Sequence, residues 1–335
     1  MAARKTDEYI FADAYIGNFV ARLMTRKDLL RVAAAREPEA AEAVLREFGR
    51  EDAKTLHEEG LDAFLRAERD ALYERVFRTV PDPAEFAFDL APHDYHNVKV
   101  LLKAELLEKE PSEHALYRNA SIPVDRLVRL IRERNYSFMP VPMKEGIQQA
   151  LDTYARGSDP QLIDLILDRA CFRQMLADSQ ALEDEFITGL LQKQIDAVNL
   201  RTFARSRKLG RTWSYFMNLF VEGGEVPQDI LREAYEEAYP RVGERLEAYG
   251  WREAFTEGGR RLKEEGDFSA LERLLDDAVM AYNRKAKYES FGPRPIQGFW
   301  YAAEKEIDNL RIALAGPMLG TPPEEIEGRL RETYV

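Results

Sequence analysis

The sequence predicts an all-α protein, and three observations carry that reading. Apolar residues recur at helical spacing along nearly the whole chain, as in Ile10, Phe11, Tyr15, Ile16, Phe19, Val20, Leu23 and Met24. Prolines, glycines and acids stand where helices begin and end, as where Pro38-Glu39 opens a run that Gly49 closes. No stretch alternates apolar with polar residues over the length a half-buried strand requires.

Taken in order, the opening apolar run predicts a first helix. A basic turn at Arg26-Lys27 is followed by a second stripe of Leu29, Leu30, Val32 and Ala33. Helices are expected over 38–48 and, carrying Leu61, Phe64, Leu65, Leu72, Tyr73 and Val76, over 55–80, where Pro81 and Pro83 end the run. The polar segment 110–123, with Pro111, Ser112, Asn119, Ser121 and Pro123, reads as a loop. Helices follow over 124–131 and 143–155. A long helical hairpin begins at Ser158-Asp159-Pro160 and closes at Gly210, and residues 216–227 connect around Gly223-Gly224. Further helices are expected over 228–237, 241–254, 268–287 and 296–315, and a last one with Thr321 as its N-cap.

One pattern occurs three times. Asp94-Tyr95-His96-Asn97-Val98-Lys99 returns as Asp196-Ala197-Val198-Asn199-Leu200-Arg201 and as Glu306-Ile307-Asp308-Asn309-Leu310-Arg311. The asparagines lie 102 and then 110 residues apart, too long a period for a short-repeat solenoid. Each copy leads into an apolar run, so all three read as helix starts. On a helix the acid and the asparagine three residues later share a face, and the base points away from it. Such a pair suits an architectural cross-link better than catalysis. The length of 335 residues exceeds what one core organises, and together with the repeat it predicts three related helical modules, 1–118, 119–222 and 223–335. Asn97, Asn199 and Asn309 are expected at equivalent places in them.

Charge and composition narrow the function. A net charge of −12 with pI near 5.1 disfavours nucleic acid and anionic lipid as partners. The start of the chain, with Asp13 and Asn18 inside its apolar run, does not read as a secretory signal. No window is apolar enough for a spanning helix. The single cysteine, Cys171, sits at helical spacing as a core residue and fits a reducing compartment.

Several chemistries fail on their residues. A di-iron bundle needs Glu-x-x-His, but Lys54, Leu90, His93 and Pro111 precede His57, His93, His96 and His114 by three. The acidic pair Asp276-Asp277 has Met280 where a terpenoid-synthase metal site needs a third acid. His93 and His96 have no second cluster of metal ligands. Neither Gly223-Gly224 nor Gly258-Gly259 extends into a phosphate-cradling loop. The basic group Arg201, Arg205, Arg207, Lys208 and Arg211 reads as a solvated helix end, or as a contact for an acidic partner. No catalytic, cofactor or metal site is expected.

Asp94-Tyr95-His96-Asn97-Val98-Lys99-Val100-Leu101-Leu102-Lys103-Ala104, the turn Phe291-Gly292-Pro293-Arg294-Pro295, and the ending from Glu304-Lys305-Glu306 through Pro322-Pro323-Glu324-Glu325-Ile326 together carry a resemblance. The chain resembles the C subunits of the V/A-type rotary ATPases, whose eukaryotic V-ATPase equivalent is the d subunit, from about Tyr9 to Arg331. Val98 stands where that family more often has leucine. The resemblance implies three helical modules arranged as a funnel with pseudo-threefold symmetry. It implies a non-catalytic rotor subunit, one per complex, peripheral on the cytoplasmic face of the membrane. Such a subunit caps the ring of proteolipid subunits, touches the membrane only through that ring, and receives the central shaft. The competing expectation from the residues alone is an all-helical scaffold or adaptor outside such a machine. An all-α enzyme would need the acidic metal cluster that the sequence lacks.

Overall fold

The computed structural model describes residues 7–35, 37–111, 115–157 and 160–335. Ser112, His114 and the expected helix start at Ser158-Asp159 lie outside them. Among the described residues the regular elements are helical and none is a strand. The chain divides into two compact units, residues up to Pro81 with Val226–Val335, and Asp82–Glu225.

The first unit is built on one long helix. Helices α1 (Ile10–Val20), α2 (Arg26–Ala34), α3 (Pro38–Glu47) and α4 (Leu61–Phe77) come from its N-terminal part. Thr25 begins α2 with a capping box, its hydroxyl taking the Asp28 N–H while the Asp28 carboxylate takes the Thr25 N–H. Arg26-Lys27 is therefore the first turn of α2 and not a linking turn. The helix expected over 55–80 is broken, because Gly60 adopts φ +94°, a conformation that ends the one-turn helix Thr55–Glu58 and restarts the chain at Leu61.

In the second unit, Pro83–Leu90 is a 3₁₀ segment leading into α5 (Ala91–Leu106). There follow α6 (Val124–Arg132), α7 (Val141–Gly157), α8 (Pro160–Ala181), α9 (Glu185–Lys208) and α10 (Trp213–Leu219). Asp184 caps α9 by accepting from the Phe186 and Ile187 N–H groups. Lys99 and Lys103 of α5 meet Asp168 and Asp164 of α8. Residues four apart on each helix thus pair in antiparallel register.

The chain then returns to the first unit with α11 (Gln228–Glu233), α12 (Tyr239–Arg245), α13 (Gly259–Glu265), α14 (Ser269–Asn283), α15 (Pro293–Met318) and α16 (Pro323–Arg329). The helix expected over 241–254 ends at Arg245 and gives way to a 3₁₀ turn, Glu247–Tyr249, that left-handed Gly250 closes, and a π-turn, Ala254–Gly258, precedes α13. Helix α15 packs on α1, α2 and α4 and buries Ile296, Phe299, Trp300, Ile307 and Leu310. At about 25 cal/mol per Å² of apolar surface removed from water, these side chains each contribute on the order of 2 kcal/mol. The expected Thr321 cap is absent: Pro322 holds that position, and no side chain caps α16.

The repeat sits differently on its three helices. The first copy lies near the start of α5, but the second and third lie in the middle of α9 and α15. Phe186, Leu190 and Leu191 upstream of the one, and Ile296, Phe299 and Trp300 upstream of the other, continue the same buried stripe without a break.

Candidate functional site

Asn97, Asn199 and Asn309 are all buried and do the same thing. Each side-chain amide grips the backbone of one downstream residue, accepting from its N–H and donating to its C=O. For Asn97 the partner is Tyr117, with both bonds 2.8 Å. For Asn199 it is Val221, at 2.7 and 2.8 Å. For Asn309 it is Arg331, at 3.2 and 2.9 Å. The partners lie 20, 22 and 22 residues downstream. A carboxamide carries donor and acceptor side by side, so it can replace one step of a β-ladder and hold a non-helical segment that would otherwise leave backbone groups unpaired.

The acid of each copy works one turn away. Asp94 accepts from the Ser121 hydroxyl at 2.5 Å and from the Ile122 N–H at 2.8 Å. Burial pushes its carboxyl up from the usual range, against these donors. Asp196 accepts from the Glu225 N–H at 3.2 Å. A Cβ on Gly224 would lie 2.1 Å from Asp196 Oδ1, so glycine is required for this approach. Glu306, longer by one methylene, instead takes the Met24 N–H at 2.5 Å and the Arg50 guanidinium. In the third copy Asp277 replaces it at the downstream segment, accepting from the Glu332 N–H at 2.7 Å.

The third base and the first tie helices together rather than joining the grip. Lys99 bonds Asp168 and Arg311 bonds Asp62, at 2.7 and 2.8 Å. Arg201 is half-buried on α9. In the basic group, Arg207 lies over the Phe203 ring and Arg211 over Tyr215.

His93 and His96 join the first grip. His93 Nδ1 donates to the Asn119 C=O at 2.6 Å and His96 Nε2 to the Ala115 C=O at 2.8 Å. Both rings pack on Tyr117. Burial lowers the His96 pKa, keeping the imidazole neutral with its proton on the nitrogen that donates. Cys171 is buried, and burial pushes its thiol far above the range of a nucleophile.

Glu306 also belongs to a buried ion cluster that the sequence does not announce. Arg50 joins Glu68, at 2.6 Å, to Glu306. Burial works against charge on Arg50 but the two carboxylates hold its pKa up, while burial pushes the Glu306 carboxyl up. The cluster ties α15 to α4 and to the corner after α3.

The site thus consists of helix-borne asparagines and acids that hold segments outside the α-helices, an arrangement for holding shape. A family model described as ATP synthase (C/AC39) subunit matches residues 12–329. The C subunit of the V-type sodium ATPase of Enterococcus hirae is 24% identical over 277 residues, 82% of each chain. The C subunit of the A-type ATP synthase of Methanosphaera stadtmanae is 20% identical, over 91% of this chain and 82% of its own. That of Desulfurococcus is 22% identical, over 76% and 71%. By the extent of that match, the chain belongs to the family of C subunits of the V-type and A-type ATP synthases.

Proposed function

We propose that this chain is the non-catalytic rotor subunit that caps the membrane ring of proteolipid subunits and forms the socket for the central shaft, coupling the two during ATP-linked ion transport. The observation that carries the reading is the family match across nearly the whole chain. The three grips support it, since a torque-bearing part needs segments fixed at both ends rather than a mobile active site. On this reading residues 1–118, 119–222 and 223–335 are three related modules of a pseudo-threefold funnel, each carrying one grip. One copy serves each complex.

No helix among the described residues is long and apolar enough to cross a membrane. This is consistent with a peripheral place, which on this reading is at the cytoplasmic face, with membrane contact through the ring. The sequence holds no phosphate-cradling loop, which supports placing ATP chemistry on other subunits. Affinity purification of the chain from its native membrane tests the assignment. Proteolipid and shaft subunits are expected to co-purify, and their absence overturns it.

A further inference from the structure

Three arginines converge on one crevice in the first unit. It is lined by Phe19, Arg22, Gly49, Arg50, Glu68 and Arg75 over a floor of α4 and α15 side chains, and its interior of about 10 Å³ has room for about one water. The Arg75 and Arg22 guanidinium carbons lie 4.7 and 5.6 Å from the centre of the Phe19 ring. The Arg22 head group rests against Gly49, 2.9 Å from where a Cβ would stand.

Their charges are unevenly matched. Arg50 is held by Glu68 and Glu306, yet its buried Nε has no hydrogen-bond acceptor. Arg22 and Arg75 make no ion pair with a carboxylate among the described residues. Burial, followed by the charge of Arg50, lowers the Arg75 pKa. Three guanidiniums face two carboxylates, leaving one excess positive charge in a chain of net −12. Nearby Phe19 supplies a flat platform on which guanidiniums stay oriented.

We propose that Arg22 and Arg75, which line this crevice and are not buried, bind one carboxylate, and that in the assembled complex an Asp or Glu side chain of a neighbouring subunit supplies it. A single carboxylate neutralises the excess charge, whereas a phosphate dianion overshoots it. A guanidinium fork presents paired N–H donors that suit a carboxylate. The proposal rests on the crevice and on membership of a multisubunit family, and not on the coupling role.

The test follows the arginine Nε–H signals of the full-length chain by NMR while sodium acetate replaces sodium chloride at constant ionic strength. A second arm uses inorganic phosphate. Acetate is expected to shift Arg75 and Arg22 saturably, with binding weakened at least about tenfold in Arg75→Gln. Arg311→Gln, whose guanidinium lies on Asp62, should leave the binding unchanged. Arg22→Gln gives the same test at an exposed position if Arg75→Gln does not fold. A shift that never saturates, one that survives both variants, or tighter binding of phosphate than of acetate overturns the carboxylate site. In the purified complex, Arg22→Gln with Arg75→Gln is expected to release the subunit at lower salt. Retention equal to the parent overturns the neighbouring-subunit source alone.

Discussion

Replacing Asn199 by leucine keeps the number and branching of side-chain heavy atoms and removes both halves of a grip. Val221 N–H and C=O lose bonds of 2.8 and 2.7 Å, and Val221 is itself buried, so water cannot take their place. An orphaned buried polar group costs about 1–3 kcal/mol, or roughly 2–6 kcal/mol for the pair. Burying leucine instead of an amide recovers about 1–2 kcal/mol, leaving a net loss centred on about 2.5 kcal/mol. Urea unfolding measures the loss, and hydrogen exchange at the Val221 amide localises it. Asn309→Leu should cost less, because its donor bond is 3.2 Å and Arg331 is only half-buried. Asn199→Asp adds a sign to the test. A protonated acid can still donate to the Val221 C=O, but a carboxylate sets a second acceptor against it, so the loss should grow as pH rises. Unchanged stability in Asn199→Leu, or unchanged exchange at Val221, refutes the reasoning.

Gly224→Ala should destabilise by about 1–3 kcal/mol, since its methyl would meet Asp196 Oδ1 at 2.1 Å; a thermal melt that matches the parent contradicts this. Arg50→Met strands Glu68 and Glu306 in the core and should cost about 3–5 kcal/mol, with Glu68→Gln and Glu306→Gln added in the same chain restoring much of it. Chemical denaturation of the three-site variant beside Arg50→Met checks the restoration. Asp13, whose carboxyl burial pushes up to about 6 against the Gly292 N–H at 2.7 Å, binds its proton more tightly folded than unfolded. Stability should therefore fall as pH rises from about 4 to about 6. Asp13→Asn should gain up to roughly 3 kcal/mol above that window and nothing below it. Melting curves of both proteins across the window check the sign.

Helix content is legible in the sequence because burial of a stripe every three to four residues leaves a period there. Breaks at Gly60 and Gly250 are not, because a glycine within apolar spacing reads the same whether it continues a helix or turns left-handed. The acid and asparagine of each copy are legible as a pair on one face. Their partners are not, since Tyr117, Val221 and Arg331 contribute backbone groups that carry no side-chain signature. Asp276-Asp277 looks in sequence like part of a metal motif. It works instead through Arg331 and the Glu332 N–H, a use visible only once the C-terminal segment is placed. Arg50 gives no signal, because its glutamates are distant in sequence. Gly224 has the spacing of a turn residue, although its lack of a Cβ is what admits Asp196.

The proposed coupling role, in which motion is transmitted without chemistry, is tested most directly by leaving the chain out. Vesicles carrying the ATPase complex, assembled with and without this chain, allow ATP hydrolysis and ATP-driven ion transport to be measured side by side. Hydrolysis is expected to continue without the chain while transport is lost, and transport should return when the chain is added back. Ion transport that persists in its absence contradicts the coupling role.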